Sequence, residues 1–213
     1  EMVEILDEHF DWVYCKLITD NYFGWVKKLG LGNLNKPTHK VNSIRSFLFT
    51  QKNIKSNIIQ YLPMCSKLHI TKIENEWATV LLSEKHFLKF AYIPSNHITD
   101  IDNQLLDWVT NAEILINTPY KWGGRDTLGI DCSALVQLSY SQTGQNIPRN
   151  TIDQVKLNKP IVLDIKELHR GCLVFWEGHV GIMVDKLNCI HSNAFYMKAT
   201  IEPIHKITER MQN

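Results

Sequence analysis

The chain has 213 residues, 44% of them hydrophobic and 21% charged, and its 23 Lys+Arg against 22 Asp+Glu leave a formal net charge of +1. This balance fits one large globular domain or several small ones and excludes collagen-like, disordered and coiled-coil classes. No basic stripe would attract a phosphate backbone, and no apolar run approaches the roughly 18–20 residues that span a bilayer, so neither nucleic acid nor membrane is expected as a partner. The five cysteines, Cys15, Cys65, Cys132, Cys172 and Cys189, are odd in number and form no CxxC pair. Neither a disulfide scaffold nor a zinc site is indicated, and no cofactor is expected. Free thiols point to a reducing compartment. The opening Glu1-Met2-Val3-Glu4 lacks the basic-then-apolar pattern of a secretory signal. A cytoplasmic location is expected, with a periplasmic or secreted one only if a signal lies before residue 1.

Residues 1–98 read as small all-β units. Apolar stretches such as Trp12-Val13-Tyr14-Cys15-Lys16-Leu17 and Tyr22-Phe23-Gly24-Trp25-Val26 are separated by the turn Thr19-Asp20-Asn21. A repeat is visible: Trp12-x-x-Cys15 then Gly24-Trp25-Val26, and later Trp77-x-x-Val80 then Ala91-Tyr92-Ile93. The second copy begins near His39, so the first is expected to lack on the order of 25–30 residues at its start. The expected boundaries are a partial unit over 1–35, a complete one over 36–98, and a different domain over 99–213. Trp12, Trp25, Trp77 and Tyr92 are read as cross-strand core aromatics.

From residue 99 the periodicity becomes helical. Leu105, Val109, Ala112 and Ile116 form one apolar stripe over 103–117, which Pro119 ends. After the turn Trp122-Gly123-Gly124, a second helix is expected to start near Cys132, with Leu135, Val136 and Tyr140 inward and Gly144 closing it. Strands are expected over 171–176, 179–184 and 188–192. Helices followed by an antiparallel meander make an α+β domain.

The chemistry concentrates around Cys132. Asp131 is suited to cap the helix that Cys132 opens, which puts the sulfur at the positive end of the helix dipole, where a thiolate is stabilised. A nucleophile needs a base, and the base needs a partner to hold its ring. His179 opens one expected strand and His191 lies in the next, so a hairpin can bring both imidazoles to the Cys132 helix end. Cys132 is then the nucleophile, His179 the base and His191 the group that fixes its tautomer. The other four cysteines lie in apolar alternation and are read as core.

Tyr120-x-Trp122-Gly123-Gly124, Asp131-Cys132-Ser133, Gly178-His179-Val180-Gly181 and Ile190-His191 together resemble the NlpC-type cysteine peptidase family, and the repeat in front resembles tandem bacterial SH3-like domains. The resemblance implies a papain-like α+β domain preceded by small SH3-like barrels, the first truncated. It implies hydrolysis of the γ-D-glutamyl to diamino acid bond in murein stem peptides, with no obligate protein partner. Ala134 and Cys172 depart from the pattern, where glycine and an acidic residue are usual. Barrels in front of such a domain look like the dipeptidyl-peptidase branch, in which the first barrel closes one end of the groove and selects peptides with a free N-terminal L-Ala. By that similarity Asp131, Ser133, Tyr120 and Thr151 bind substrate, joined by Tyr22 and Asp20 from the first barrel. The competing readings are an acyltransferase or thioesterase on the same Cys-His-His machinery, and a cell-wall peptide-binding module.

Overall fold

The structure is a computed structural model that describes residues 1–33, 35–104, 107–157 and 164–212. Two compact units divide the chain, Glu1–Asn103 and Gln104–Asn213.

In the first unit, β1 (Val3–His9), β2 (Trp12–Leu17) and β3 (Phe23–Lys27) form an antiparallel meander. Alternation along β2 buries Val13 and Cys15, whereas Trp12 and Trp25 remain 43% and 48% exposed. Trp12 and Trp25 are therefore not core. Trp25 instead pairs with Tyr14 across the strands, ring centroids 5.2 Å apart. Next come β4 (His39–Val41), β5 (Arg45–Phe49), β6 (Ile58–Pro63), β7 (Lys67–Leu68), β8 (Ile70–Glu74), β9 (Trp77–Leu81), β10 (Phe90–Pro94) and β11 (Ile98–Asp100). They build one sheet in the order β6-β5-β10-β9-β8 and another in the order β11-β4-β7, around Val41, Leu48, Leu62, Val80 and Ile93. The repeat has a structural counterpart: Tyr14 faces Trp25 in the β2–β3 pair, and Thr79 faces Tyr92 in the β9–β10 pair, each two residues after the tryptophan. Ala78 and Val80 are buried as Val13 and Cys15 are.

The second unit opens with α1 (Trp108–Ile114), shorter than the stripe over 103–117 suggests. Asp107 starts it by accepting the Val109 N–H at 3.2 Å and the Thr110 hydroxyl at 2.9 Å. At the far end the chain leaves the helix after Ile114, and Asn117 turns left-handed at φ 66° ahead of Pro119. Val109, Ala112 and Leu115 are buried, Leu115 taking the place assigned to Ile116; Leu105 lies outside the described residues. Arg170 ties the helix down through Asp107 and Glu113.

A short hairpin, β12 (Arg125–Asp126) and β13 (Gly129–Ile130), leads into α2 (Cys132–Ser141), and α3 (Thr151–Gln154) follows. The strands β14 (Leu173–Trp176), β15 (His179–Met183), β16 (Asn188–Asn193) and β17 (Lys198–Pro203) form an antiparallel sheet in sequence order, and α4 (Ile204–Gln212) closes the unit. Neither β17 nor α4 is among the sequence expectations. α2 packs on β15 and β16, while Met183 and Cys189 pack against Ile204 and Ile207 of α4. Cys15 and Cys189 are core as expected, but Cys65 and Cys172 are only half-buried, and Cys172 Sγ sits 3.3 Å from His169 Nδ1.

Candidate active site

Cys132 is the first residue of α2, placed there by Asp131, whose carboxylate accepts the Ala134 N–H at 2.8 Å. Its sulfur is buried, 3.8 Å from the Thr151 hydroxyl at the start of α3. Burial pushes the thiol above its ordinary value, against the opposing pull of the Thr151 hydroxyl and of the Val180 and Ser133 backbone N–H groups; the Asp131 charge adds to the rise. Burial thus works against the thiolate that the helix end favours, and the raised thiol is neutral at pH 7.

Gly178, at φ 70°, makes the tight β14–β15 turn that sets Trp176 opposite His179. A left-handed position of this kind suits glycine, and it starts β15 on the imidazole. His179 Nε2 is 2.8 Å from His191 Nδ1, and His191 Nε2 is 2.8 Å from Glu202 Oε1. Glu202 in turn pairs with Arg210 of α4, and the Tyr196 hydroxyl lies 3.4 Å from its other oxygen. Arg210 packs over the Phe195 ring, 4.5 Å from its centroid. Burial, then the neighbouring His191 and Arg210, depress His179 to about 4, and burial also lowers His191. Both imidazoles are neutral at pH 7. Cys132 and His179 thus line the same cavity as neutral groups.

Tyr120, Cys132, His179, His191, Phe195 and Arg210 are among the residues lining one cavity of about 300 Å³. Burial, and after it the neighbouring Cys132 and Asp131, raise the Tyr120 phenol, so it stays a hydrogen-bond donor there. Thr151 reaches the sulfur, but Asp131 and Ser133 are turned inward and do not line this cavity. Arg149 grips Asp131 with two parallel bonds, Nη1 to Oδ1 at 3.0 Å and Nη2 to Oδ2 at 2.7 Å. The same carboxylate accepts the Gly123 N–H at 3.0 Å and the Ser133 hydroxyl at 3.1 Å. The Trp122-Gly123-Gly124 turn is thereby fastened to the nucleophile's helix; a Cβ on Gly124 would collide with the Gly129 carbonyl. Tyr22 and Asp20 lie in the first unit on the β2–β3 turn, where Asp20 Oδ1 accepts the Tyr22 N–H at 3.1 Å.

Glu202, Arg210 and Arg149 are the site residues that sequence reasoning missed. Arg149 stands two residues before Thr151, but its partner Asp131 lies 18 positions away, so the sequence carries no local signal for the pair.

The depressed His179 has a stability consequence. An unfolded histidine titrates near 6.5, so as the pH falls from about 6.5 to 4 the unfolded chain takes up a proton that the fold refuses. Stability is full above that window and falls through it by about 3 kcal/mol, an upper figure for this residue. His191 shifts in the same direction. Urea unfolding at pH 7 and 4.5 is expected to show a smaller acid loss for His179→Gln than for the intact protein; equal losses would rule out this source.

Comparison with known proteins places the site in context. Residues 117–211 match the model of the NlpC/P60 family. γ-D-glutamyl-L-lysine dipeptidyl-peptidase of Bacillus subtilis (strain 168) is 28% identical over 189 residues, which cover 80% of this chain and 60% of that protein. Dipeptidyl-peptidase 6 of Lysinibacillus sphaericus is 35% identical over 86 residues, 40% of this chain and 31% of that protein. The chain thus spans less than two thirds of the length of these relatives. A crystal structure of an NlpC/P60 family protein from Bacillus cereus ATCC 10987 matches with a TM-score of 0.80 at 22% identity, over 95% of this chain and 74% of that one. That likeness establishes the fold, a papain-like α+β architecture.

Proposed function

We propose, from the match of residues 117–211 to the NlpC/P60 family, that the protein is a cysteine peptidase cleaving the γ-D-glutamyl to diamino acid bond of bacterial cell-wall stem peptides. The observation that carries the proposal is the single cavity shared by Cys132, His179, His191 and Tyr120. In the proposed reaction His179 takes the thiol proton as Cys132 sulfur attacks the γ-carbonyl carbon of D-Glu. The proton then passes to the departing amine of the diamino acid, leaving a thioester on Cys132. Water, deprotonated by His179, releases the γ-glutamyl product and restores the thiol. Because thiol and imidazole both rest neutral, proton transfer accompanies attack.

The proposal extends to specificity: stem peptides with a free N-terminal L-Ala are the substrates, as the name of the 28% identical relative, a dipeptidyl-peptidase, supports. Asp20 is assigned to the ammonium and Tyr22 to a contact with the same end of the peptide. Mass spectrometry of L-Ala-γ-D-Glu-diaminopimelate, incubated with the protein and with Cys132→Ala, tests the reaction. Release of L-Ala-D-Glu by the intact protein alone is expected, and no release would refute it. With the N-acetylated peptide alongside, Asp20→Ala is expected to narrow the preference for the free amine roughly 10–100-fold, the worth of one charged hydrogen bond. An unchanged ratio in both Asp20→Ala and Tyr22→Ala would remove these residues from selection. The cytoplasmic location stays with the proposal, since free-amine fragments are those that a cell takes in and recycles.

A further inference from the structure

Two histidines in series do not by themselves define a base. Neutral imidazole carries one proton, and that proton can sit on either nitrogen. In the His179–His191 pair two arrangements satisfy the 2.8 Å bond between them. In one, His179 Nε2 donates to His191 Nδ1, and His179 Nδ1 is bare and able to accept a thiol proton. In the other, His191 Nδ1 donates to His179 Nε2, and His179 carries its proton on Nδ1 and accepts nothing there. Only the first arrangement does chemistry.

What selects it lies beyond His191. Glu202 Oε1 stands 2.8 Å from His191 Nε2, and burial of the histidine is nearly complete at 1% exposure. The carboxylate is held ionised by Arg210, the largest opposing influence to its own desolvation. An ionised carboxylate can only accept, so His191 must carry its proton on Nε2. The Asn193 amide nitrogen, 3.2 Å from the same Nε2, pulls the other way, because an amide N–H there favours a bare Nε2. The shorter, charge-assisted contact wins. The geometry arises from the sheet: His191 faces Thr200 on β17, so Glu202 is its diagonal neighbour on the same face, and α4 brings Arg210 onto that face.

We propose that Glu202, anchored by Arg210, is a positioning residue that sets the tautomers of both histidines and so leaves His179 Nδ1 free to act as the base. This rests on the peptidase reading for its catalytic consequence, but the tautomer itself is a property of the unliganded protein. In Glu202→Met, His191 Nε2 loses the acceptor that it shares with Arg210, and the Asn193 amide nitrogen 3.2 Å away is left to favour the inactive arrangement. The expected loss is ~10–100-fold in kcat, the usual effect of removing such a supporting partner, with KM little changed. Nitrogen-15 NMR of the imidazoles reads the proton positions directly, in the intact protein and in Glu202→Met. The expected result is a bare Nδ1 and protonated Nε2 on His179 in the intact protein, inverted or mixed in the variant. A proton on His179 Nδ1 in the intact protein overturns the proposal even if the variant does not fold; an unchanged tautomer or an unchanged kcat in a folded variant also overturns it. Absence of stem-peptide cleavage by the intact protein would instead refute the peptidase reading and leave the NMR result to decide this one.

Discussion

Cys132→Ala is expected to lower turnover of L-Ala-γ-D-Glu-diaminopimelate by roughly 10⁴- to 10⁶-fold, the range seen when a nucleophile acting in concert with its base is removed. Serine is expected to be no better. Its hydroxyl is far less acidic than a thiol, and His179, depressed to about 4 by burial and by its charged and polar neighbours, is a weak base for it. The pocket that tolerates a neutral thiol thus demands sulfur. Single-turnover mass spectrometry would also catch the thioester on the intact protein. Retention of more than about 1% of turnover by Cys132→Ala would place the nucleophile elsewhere. Since the thiol rests protonated, its alkylation should accelerate as the pH rises through and beyond 8.5, instead of levelling off in the acid range as a preformed thiolate would.

The largest effect on stability is expected at Arg149. Its guanidinium and the Asp131 carboxylate are 9% and 12% exposed at the side chain and bound in parallel at 3.0 and 2.7 Å. Arg149→Met leaves the carboxylate buried without its counter-charge, a change that costs about 3–5 kcal/mol. For a chain of this size the melting temperature should drop by roughly 6–20 °C. Asp131→Asn in the same background removes the orphaned charge yet keeps an oxygen to cap α2, so the double variant should recover part of the loss. Additive losses in the double-mutant cycle would show that the pair is not coupled. The damage should reach the active site as well, because the same carboxylate secures the Gly123 turn and the helix that presents Cys132.

These expectations separate what a linear reading can and cannot reach. Cys132, His179 and His191 each sit in a short stretch whose local chemistry is visible: a capping aspartate before the thiol, a glycine turn before one histidine, apolar alternation around the other. The structure gathers them, with Tyr120, around one cavity. The repeat in the first unit was legible for the same reason, since matching spacing yields matching registers in β2–β3 and β9–β10. Glu202 and Arg210 were not legible. Lys198–Pro203 shows little alternation, and Ile204–Gln212 looks like an ordinary charged amphipathic segment. Their meaning comes from a diagonal across two strands and a helix laid over them, a relation between distant parts of the chain. The burial of Cys132 was hidden likewise: a helix start announces a stabilised thiolate, but desolvation depends on what packs around it. Trp12 and Trp25 misled in the opposite sense, because small residues fill the interior of that meander and leave the indoles outside.

The ion pair between Arg210 and Glu202 gives the order of synthesis a chemical meaning. A ribosome delivers the thiol of Cys132 well before it delivers α4, by on the order of 4–16 seconds at about 5–20 residues per second. Until α4 emerges, the chain holds Cys132 and Glu202 without the Arg210 that anchors the carboxylate, so the nucleophile is made before the support of its proton acceptor is complete. On the proposed tautomer control, a polypeptide lacking α4 would keep Glu202 without its anchor and would be a poor peptidase.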